Sequence, residues 1–517
     1  MAVRILLLLI IVFLTAYNLG VNDIWQPNEA FYAETAREIL EKGNPLELTY
    51  NYEPRLEKPP LTYWLTALSY TLFGIGEWQT RIVPLLSALG TALLLIFYGR
   101  VIGNLSVGVL SALIFLSSLQ VFSLARYTSP EMPLTFFLTG AFIFLHLYDL
   151  RNRSIYLFLS GVFLSLALLT KGIPFIVPYL GVYLFYLLLK VSVFKAGDFK
   201  SSFKKFSTAT VTVIVSSIPI LGWYIYCYLH YGELFLNVFY SEVIHRAIDP
   251  NKGWNLLFYP IVILWAFLPF SLIFYYSLVG FLVRFKNLSE YLFPFSQFFV
   301  FLAIFTVAKG KIPVYILPTF PFMAILTARL LGKRHMALTF LNGISLLLMG
   351  VATFVVIQFL RLPLDSEIGL ILLITLTLWV ALEKWDITRT VVAVLPLLYL
   401  ATFKVLPFVE KYRPYKEVIT SLKEQFPNKK LVTAGVFYKD FPFYWRGKVY
   451  TKEALSSFKP SEVLLFSPTP LKGWKVVKEV KLYTGSESRF VVFLRDIKKR
   501  KRFKRFYFLV KEKKGKD

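Results

Sequence analysis

RILLLLIIVFLTAYNLGVNDIWQPNEAFYAETAREIL, residues 4–40, passes without a spacer from an apolar run into a segment carrying Glu29, Glu34, Arg37 and Glu38. A bilayer crossing needs about 20 predominantly apolar residues, and the run over 3–20 meets that length. A removable leader would end in small residues at its cleavage position. Tyr17 and Asn18 stand there instead, so the run is read as a retained anchor. In the second half Pro27 and Asn28 suit a helix start, with Asn28 as the N-cap. Tyr32, Ala36, Ile39 and Leu40 recur at helical spacing while Glu34, Arg37, Glu38 and Glu41 take the opposite face. That pattern predicts an amphipathic helix lying in the membrane interface.

The rest of the chain supports a membrane reading. Of 517 residues 56% are hydrophobic, 18% aromatic and only 17% charged, too little charge to cover a soluble globule. Apolar stretches fall at 3–20, 78–99, 104–123, 132–149, 155–170, 172–190, 208–230, 256–283, 291–308, 313–331, 336–359, 367–382 and 390–407, which predicts about thirteen transmembrane helices. At Lys171-Gly172 a single long apolar region divides into two spans joined by a very short turn. With the N-terminus cytoplasmic, the inner loops collect Arg100, Arg151, Arg153, Lys190, Lys204, Lys205, Lys333 and Arg334, the positive-inside bias that places the C-terminus outside.

Hydropathy falls near Lys404, dividing the chain into a transmembrane domain, 1–407, a small α/β domain, 408–495, expected on the periplasmic side, and a basic tail, 496–517. YKEVITSLKEQF has helical periodicity; KKLVTAGVF, EVLLFSP, WKVVKEVKLY and RFVVFLR read as strands. From Arg495 to Asp517 twelve Lys and Arg face three acids, a net of +9 within a total of +26. That tail reads as solvated or as a contact for anionic headgroups, and no nucleic-acid partner is expected. Cys227 stands alone and is assigned to core packing, and His146 to a local hydrogen bond, since the four histidines have no metal-ligand spacing.

The first outer loop, 21–77, holds a second helical segment, LEKPPLTYWLTALSYTLFG, opened by Pro59 and Pro60, so Glu57 and Lys58 fall at its N-terminal end. Other polar residues gather at the outer ends of spans: Arg126 and Glu131, Lys171, Arg246 and Lys252, then Lys309, Lys311 and Tyr315. Charges at membrane depth usually mark a pathway or a site. Carboxylates beside several cations suit a reaction in which a phosphate is held while an oxygen nucleophile attacks a neighbouring carbon.

NEAFYAETAREILEKGNPLELTYNYEPRLEKPPLTYWLTALSYTLFG, EWQTRIVPLLSALG, PEMPLTFFLTGA, KGKIPVYILPTFPFMAIL and DFPFYWRGKVY, in this order over nearly the whole chain, resemble the ArnT-like glycosyltransferases of the C-type superfamily, to which the protein O-mannosyltransferases also belong. The resemblance implies thirteen transmembrane helices, juxtamembrane helices in the first outer loop and a periplasmic C-terminal domain. It implies inverting transfer of a sugar from a polyprenyl-phosphate donor to a lipid acceptor, such as lipid A or another cell-envelope glycolipid, at the periplasmic face of the inner membrane. By matching motif, Glu57 corresponds to a ligand for a divalent metal cation, Lys58 to a phosphate contact and Tyr315 to a residue lining the donor site; from their charge at the outer ends of spans, Lys171, Lys309 and Lys311 are further candidates for the phosphate. Glu131 stands where the family has an aspartate. The larger departure is Asn28, where the family has its catalytic aspartate, because an amide accepts no proton at neutral pH. Three repairs follow: Glu29 or Glu131 is the base, the acceptor is a phosphate that needs none, or the activity is altered. A protein O-mannosyltransferase-like acceptor and a lipid flippase are the alternative functions, and the identity of the sugar stays open.

Overall fold

The computed structural model describes residues 1–245, 255–283, 289–330, 340–341, 343–345, 347–348, 351, 387–487 and 489–511. Its N-terminal part is helical: α1 (Ala2–Ala16), α2 (Asn28–Lys42), α3 (Leu61–Phe73), α4 (Glu77–Ile102), α5 (Leu105–Ser117), α6 (Leu119–Leu124), α7 (Glu131–Arg151), α8 (Ser154–Lys171) and α9 (Ile176–Ser192). Among the described residues seven helical stretches are long and apolar enough to cross a membrane, including α4, α7, α8, Phe199–Tyr231, Ser289–Val307 and Thr388–Glu410. Three more apolar helices, α1, α5 and Ser271–Val283, are shorter. The expected span at 367–382 lies outside the described residues, and so does most of that at 336–359.

Local chemistry explains where helices break. Gly172, with φ +98°, ends α8 and lets the chain reverse into α9, the short turn expected at this point. The stretch 256–283 divides into Phe258–Ala266 and Ser271–Val283 around Pro269, which cannot supply the amide a continuous helix needs. Pro313 and Pro318 confine 313–319 to a tight 3-10 turn before the helix Phe320–Leu330. Cys227 is buried, and His146 Nδ1 lies 2.7 Å from the Tyr98 hydroxyl, as their isolation in the sequence suggested.

The segment between α1 and α2 is held by three guanidinium groups. Arg126 donates to the carbonyls of Leu14, Thr15, Tyr17 and Asn18 at 2.8–3.2 Å. Arg81 takes those of Leu19, Asn22 and Asp23 at 2.6–3.0 Å, and Arg413 those of Asp23 and Ile24 at 2.9–3.0 Å. The last carbonyls of a helix have no intrahelical partner, and burying them unpaired is costly, so arginines at these places fix the chain's path out of α1.

After α2 comes a two-residue-per-strand hairpin, β1 (Thr49–Tyr50) and β2 (Glu53–Pro54). Its turn is bound by Glu38, which accepts the amide of Tyr52 at 3.0 Å and the hydroxyl of Thr49. The charged face of α2, expected at the membrane interface, is instead packed inside the protein: Glu34, Arg37 and Glu38 are buried. The hairpin and the C-terminal domain cover that face. Tyr50 donates to the Lys439 carbonyl at 2.7 Å, and Asn51 exchanges two 2.8 Å hydrogen bonds with Val449.

The C-terminal domain is a five-stranded mixed sheet, β3 (Lys430–Thr433), β4 (Val449–Thr451), β5 (Val463–Ser467), β6 (Trp474–Tyr483) and β7 (Phe503–Lys511), in the order β4-β3-β5-β7-β6. β3 runs parallel to β4 and β5, and β7 antiparallel to β5 and β6. Two expectations fail here. RFVVFLR belongs to the helix Phe490–Lys499, whose buried residues Phe493, Leu494 and Ile497 follow helical spacing. The basic tail at 496–517 is not a tail over its first sixteen residues, because β7 lies inside the sheet and buries Phe506, Phe508 and Leu509. The domain thus extends through Lys511, past the expected boundary at 495.

Candidate active site

The first turn of α2 separates its two polar residues. Asn28 is exposed, and its amide has no hydrogen-bond partner among the described residues. It does not cap the helix, since Pro27 holds the N-cap position without a side-chain bond, which corrects the N-cap expectation. Glu29 is buried. Its Oε1 accepts from Arg81 Nε at 2.9 Å and the Thr128 amide at 3.0 Å, and its Oε2 from Arg81 Nη2 at 2.7 Å and the Trp25 amide at 2.9 Å. Two donors on each oxygen fill the acceptor capacity of a carboxylate, leaving no lone pair for an incoming proton. The geometry makes Glu29 a tie between α2, α4 and the start of α7.

Glu131, Lys171 and Tyr315 come together from three elements. Glu131 opens α7, Lys171 closes α8 and Tyr315 sits in the 313–319 turn. The Lys171 ammonium is 2.9 Å from Glu131 Oε1 and 4.7 Å from the centre of the Tyr315 ring. Lys311 points elsewhere, donating to the carbonyls of Thr306 and Ala308 at 2.8 and 2.5 Å, where it caps the helix Leu292–Val307. Lys309 has no hydrogen-bond or ion-pair partner among the described residues. Arg246 and Lys252 lie outside them.

Glu57 and Lys58 follow β2 in an extended strap. Lys58 forms an ion pair with Glu242, which lies on the far side of the sequence in the turn Tyr240–His245. Arg55 donates to Glu57 Oε1 at 3.0 Å and stacks on Phe31 at 3.9 Å from its ring centre. Packing brings the strap to the α8 end: a methyl group placed on Gly172 would lie 3.8 Å from Pro59. Tyr32, stacked on Tyr63 at 4.7 Å, has its pKa held well above the usual phenol range by burial first, with Tyr63 and the Glu131 carboxylate adding to it. The strap, Tyr32 of α2 and the Glu131–Lys171 pair therefore lie together. Arg55 and Glu242 were not singled out from sequence. Arg55 stands three residues before Lys58, a usable signal, whereas nothing in the sequence couples Glu242 to a residue 184 positions earlier.

Glu57 does not sit in a metal-ligand set: no three His, Cys, Asp or Glu side chains converge to hold a cation among the described residues. Glu57 Oε1 instead faces the Arg55 guanidinium, so a cation there would compete with that pair.

Outside the site, two buried acids titrate late. Burial, then Glu410, pushes Asp23 up to about 7, and burial pushes Glu34 up to about 7 despite its bonds to Arg37. Folded pKa values above the unfolded ones mean that the stability they contribute is full below about pH 4 and lost as pH rises through about 7. The midpoint of thermal unfolding in detergent should fall by a few degrees between about pH 6 and pH 8, and Asp23→Asn should flatten that slope.

A sequence profile of the family described as dolichyl-phosphate-mannose-protein mannosyltransferase matches residues 1–235. An uncharacterised protein of Aquifex aeolicus is 35% identical over 516 residues, 98% of this chain and 99% of its own length. An undecaprenyl phosphate-alpha-4-amino-4-deoxy-L-arabinose arabinosyl transferase of Shewanella sediminis is 29% identical over 374 residues, 68% of this chain and 64% of that one. The crystal structure of ArnT from Cupriavidus metallidurans bound to undecaprenyl phosphate superposes with a TM-score of 0.74, covering 98% of this chain and 97% of that one at 18% identity, a likeness of fold.

Proposed function

The chain belongs to the ArnT-like glycosyltransferases of the C-type superfamily, a multi-pass membrane enzyme, and from that premise we propose that it moves a sugar from polyprenyl phosphate to a phosphate group on a lipid acceptor. One observation carries the choice of acceptor. Every carboxylate that the described residues bring to the site is already engaged: Glu29 by four donors, Glu57 by Arg55, Glu131 by Lys171 and Glu242 by Lys58, while position 28 is an amide. An ion-paired carboxylate is a weak base. A hydroxyl acceptor needs a base, whereas a phosphate monoester, with a second pKa of about 6, arrives ionised.

In this reading Lys58 takes the donor phosphate in exchange for Glu242, and Lys309 and the Lys171–Tyr315 pair flank the reacting centre. An acceptor phosphate oxygen forms a bond to the anomeric carbon as the bond from that carbon to the polyprenyl phosphate breaks. The electron pair leaves with the lipid phosphate, inverting the carbon, and the lysines stabilise the charge that develops there. Lipid A, or another phosphorylated glycolipid of the cell envelope, is the acceptor that fits. We place thirteen helices across the inner membrane, with the N-terminus cytoplasmic and the sheet domain periplasmic, on the support of the positive charge in the inner loops. The test is transfer from labelled polyprenyl-phosphate sugar in proteoliposomes to lipid A and to its dephosphorylated form. Label should pass only to the phosphorylated lipid; equal labelling of both would remove the phosphate-acceptor reading.

A further inference from the structure

The helix Phe490–Lys499 joins the sheet domain to the end of a span. Its buried residues Phe493, Leu494 and Ile497 share one apolar cluster with Leu400 and Val409, which lie in Thr388–Glu410, a stretch long and apolar enough to cross a membrane. Phe490 and Phe493 meet Trp25 edge-on, with ring centres 5.9 and 6.5 Å apart. The helix therefore sits where that span emerges on the sheet-domain side. Aromatic rings mark the level: Tyr412 lies 5.5 Å from Phe408 and 6.2 Å from Phe503, and Tyr17 stacks on Phe403 at 4.5 Å. Tyrosine gathers at the depth of lipid headgroups because its ring is apolar and its hydroxyl polar.

The opposite face of this helix carries charge. Arg495, Lys498, Lys499 and Arg500 are exposed, as are Lys501 and Arg502 in the turn that follows. The one acid in 495–502, Asp496, is buried; it accepts from the Tyr483 hydroxyl at 2.9 Å and lies 3.6 and 3.7 Å from Arg495 and Arg502. Six cations thus face outward while the only acid of the stretch faces in. The helix dipole favours basic residues in the last turn, but it does not account for those beyond it. Arg500 and Arg502 hold φ +48° and +59°, the left-handed region where glycine fits with less strain, so charge is kept where an uncharged residue would be easier to place. Exposed cations at headgroup depth have one complementary surface beside them, the phosphates of anionic lipid.

We propose that this helix and its turn dock on the headgroups of anionic phospholipid in the leaflet on the sheet-domain side, holding the sheet domain against the membrane. The test uses the full chain in nonionic detergent, with Val491→Cys carrying an environment-sensitive fluorophore. Val491 is 79% exposed and stands at helical spacing from Arg495 and Lys498, while the native Cys227 is buried. Phosphatidylglycerol added to the micelles should change the fluorescence saturably, and phosphatidylcholine should not. Salt at about 1 M, where the screening length is about 3 Å, should abolish the response without any change to the protein. Lys498→Gln, Lys499→Gln and Arg500→Gln should each weaken the apparent affinity about fivefold, and Lys498→Arg should keep it. A single size-exclusion peak checks that each variant is folded. An equal response to both lipids, a phosphatidylglycerol response that survives the salt, or affinities unchanged in all three glutamine variants overturns the proposal. So does a response to lipid A without one to phosphatidylglycerol, which would give the surface to the acceptor instead.

Discussion

Arg81→Met is expected to remove the folded protein from the membrane rather than slow its chemistry. The guanidinium is 2% exposed and its Glu29 partner 0%, and it also holds the carbonyls of Leu19, Asn22 and Asp23. Truncating one member of such a pair leaves a buried carboxylate with only two amide donors and three carbonyls with fewer, at a cost of about 3–5 kcal/mol. That is a large share of the stability of a typical domain. Abundance in membranes and a single size-exclusion peak in detergent measure the effect, and both should be lost or sharply reduced. Glu29→Gln should behave in the same way, since the amide leaves the Arg81 charge unmatched. Asn28→Asp, at an exposed position, should leave the peak intact. If Glu29→Gln is instead well folded and fails only in transfer, Glu29 has a chemical role and the structural assignment falls.

The contrast between these adjacent residues shows what the sequence can carry. Neighbouring polar residues before a helix look alike in a string, and only the position of Arg81, 52 residues away, decides that Glu29 turns inward. Spans were legible because hydropathy is a local sum over about 20 residues. The burial of Glu34 and Glu38 was not, because the elements that cover them come from residues 49–54 and 437–450, a distance that amphipathic periodicity does not encode. In the C-terminal domain the misread elements fail for local reasons. FVVFL is a short apolar run equally compatible with a strand and a helix turn. In FKRFYFLVK the charges at Lys504 and Arg505 mask a strand that pairs on both sides, and the alternation of Phe506 and Phe508 was the signal beneath them. Within the site, Glu57, Lys58, Glu131 and Tyr315 were reached by motif and Lys171 by its charge at the end of a span, yet the pairs Lys58–Glu242 and Lys171–Glu131 were not, because each joins separate elements.

Those pairs decide the second large effect. Lys58→Ala is expected to lower transfer by about a hundredfold or more, the scale of losing one group aimed at developing charge, with normal abundance, since its partially exposed side chain is not a buried structural tie like Arg81. The ammonium now faces Glu242, so a donor phosphate has to displace that carboxylate before it can be held. Glu242→Gln therefore works in the opposite sense: with the competing charge gone, affinity for undecaprenyl phosphate should rise several-fold, and the donor KM should fall by a similar factor. Combining the two changes separates the causes. In the Lys58→Ala background Glu242→Gln should give no gain in donor affinity, because the group for which phosphate and carboxylate compete is absent. A gain of the same size in both backgrounds would mean that Glu242 repels the phosphate from a distance rather than occupying its place on Lys58. Wild-type transfer by Lys58→Ala would move the phosphate site away from the strap altogether, leaving Lys309 and Lys171 as the cations to test.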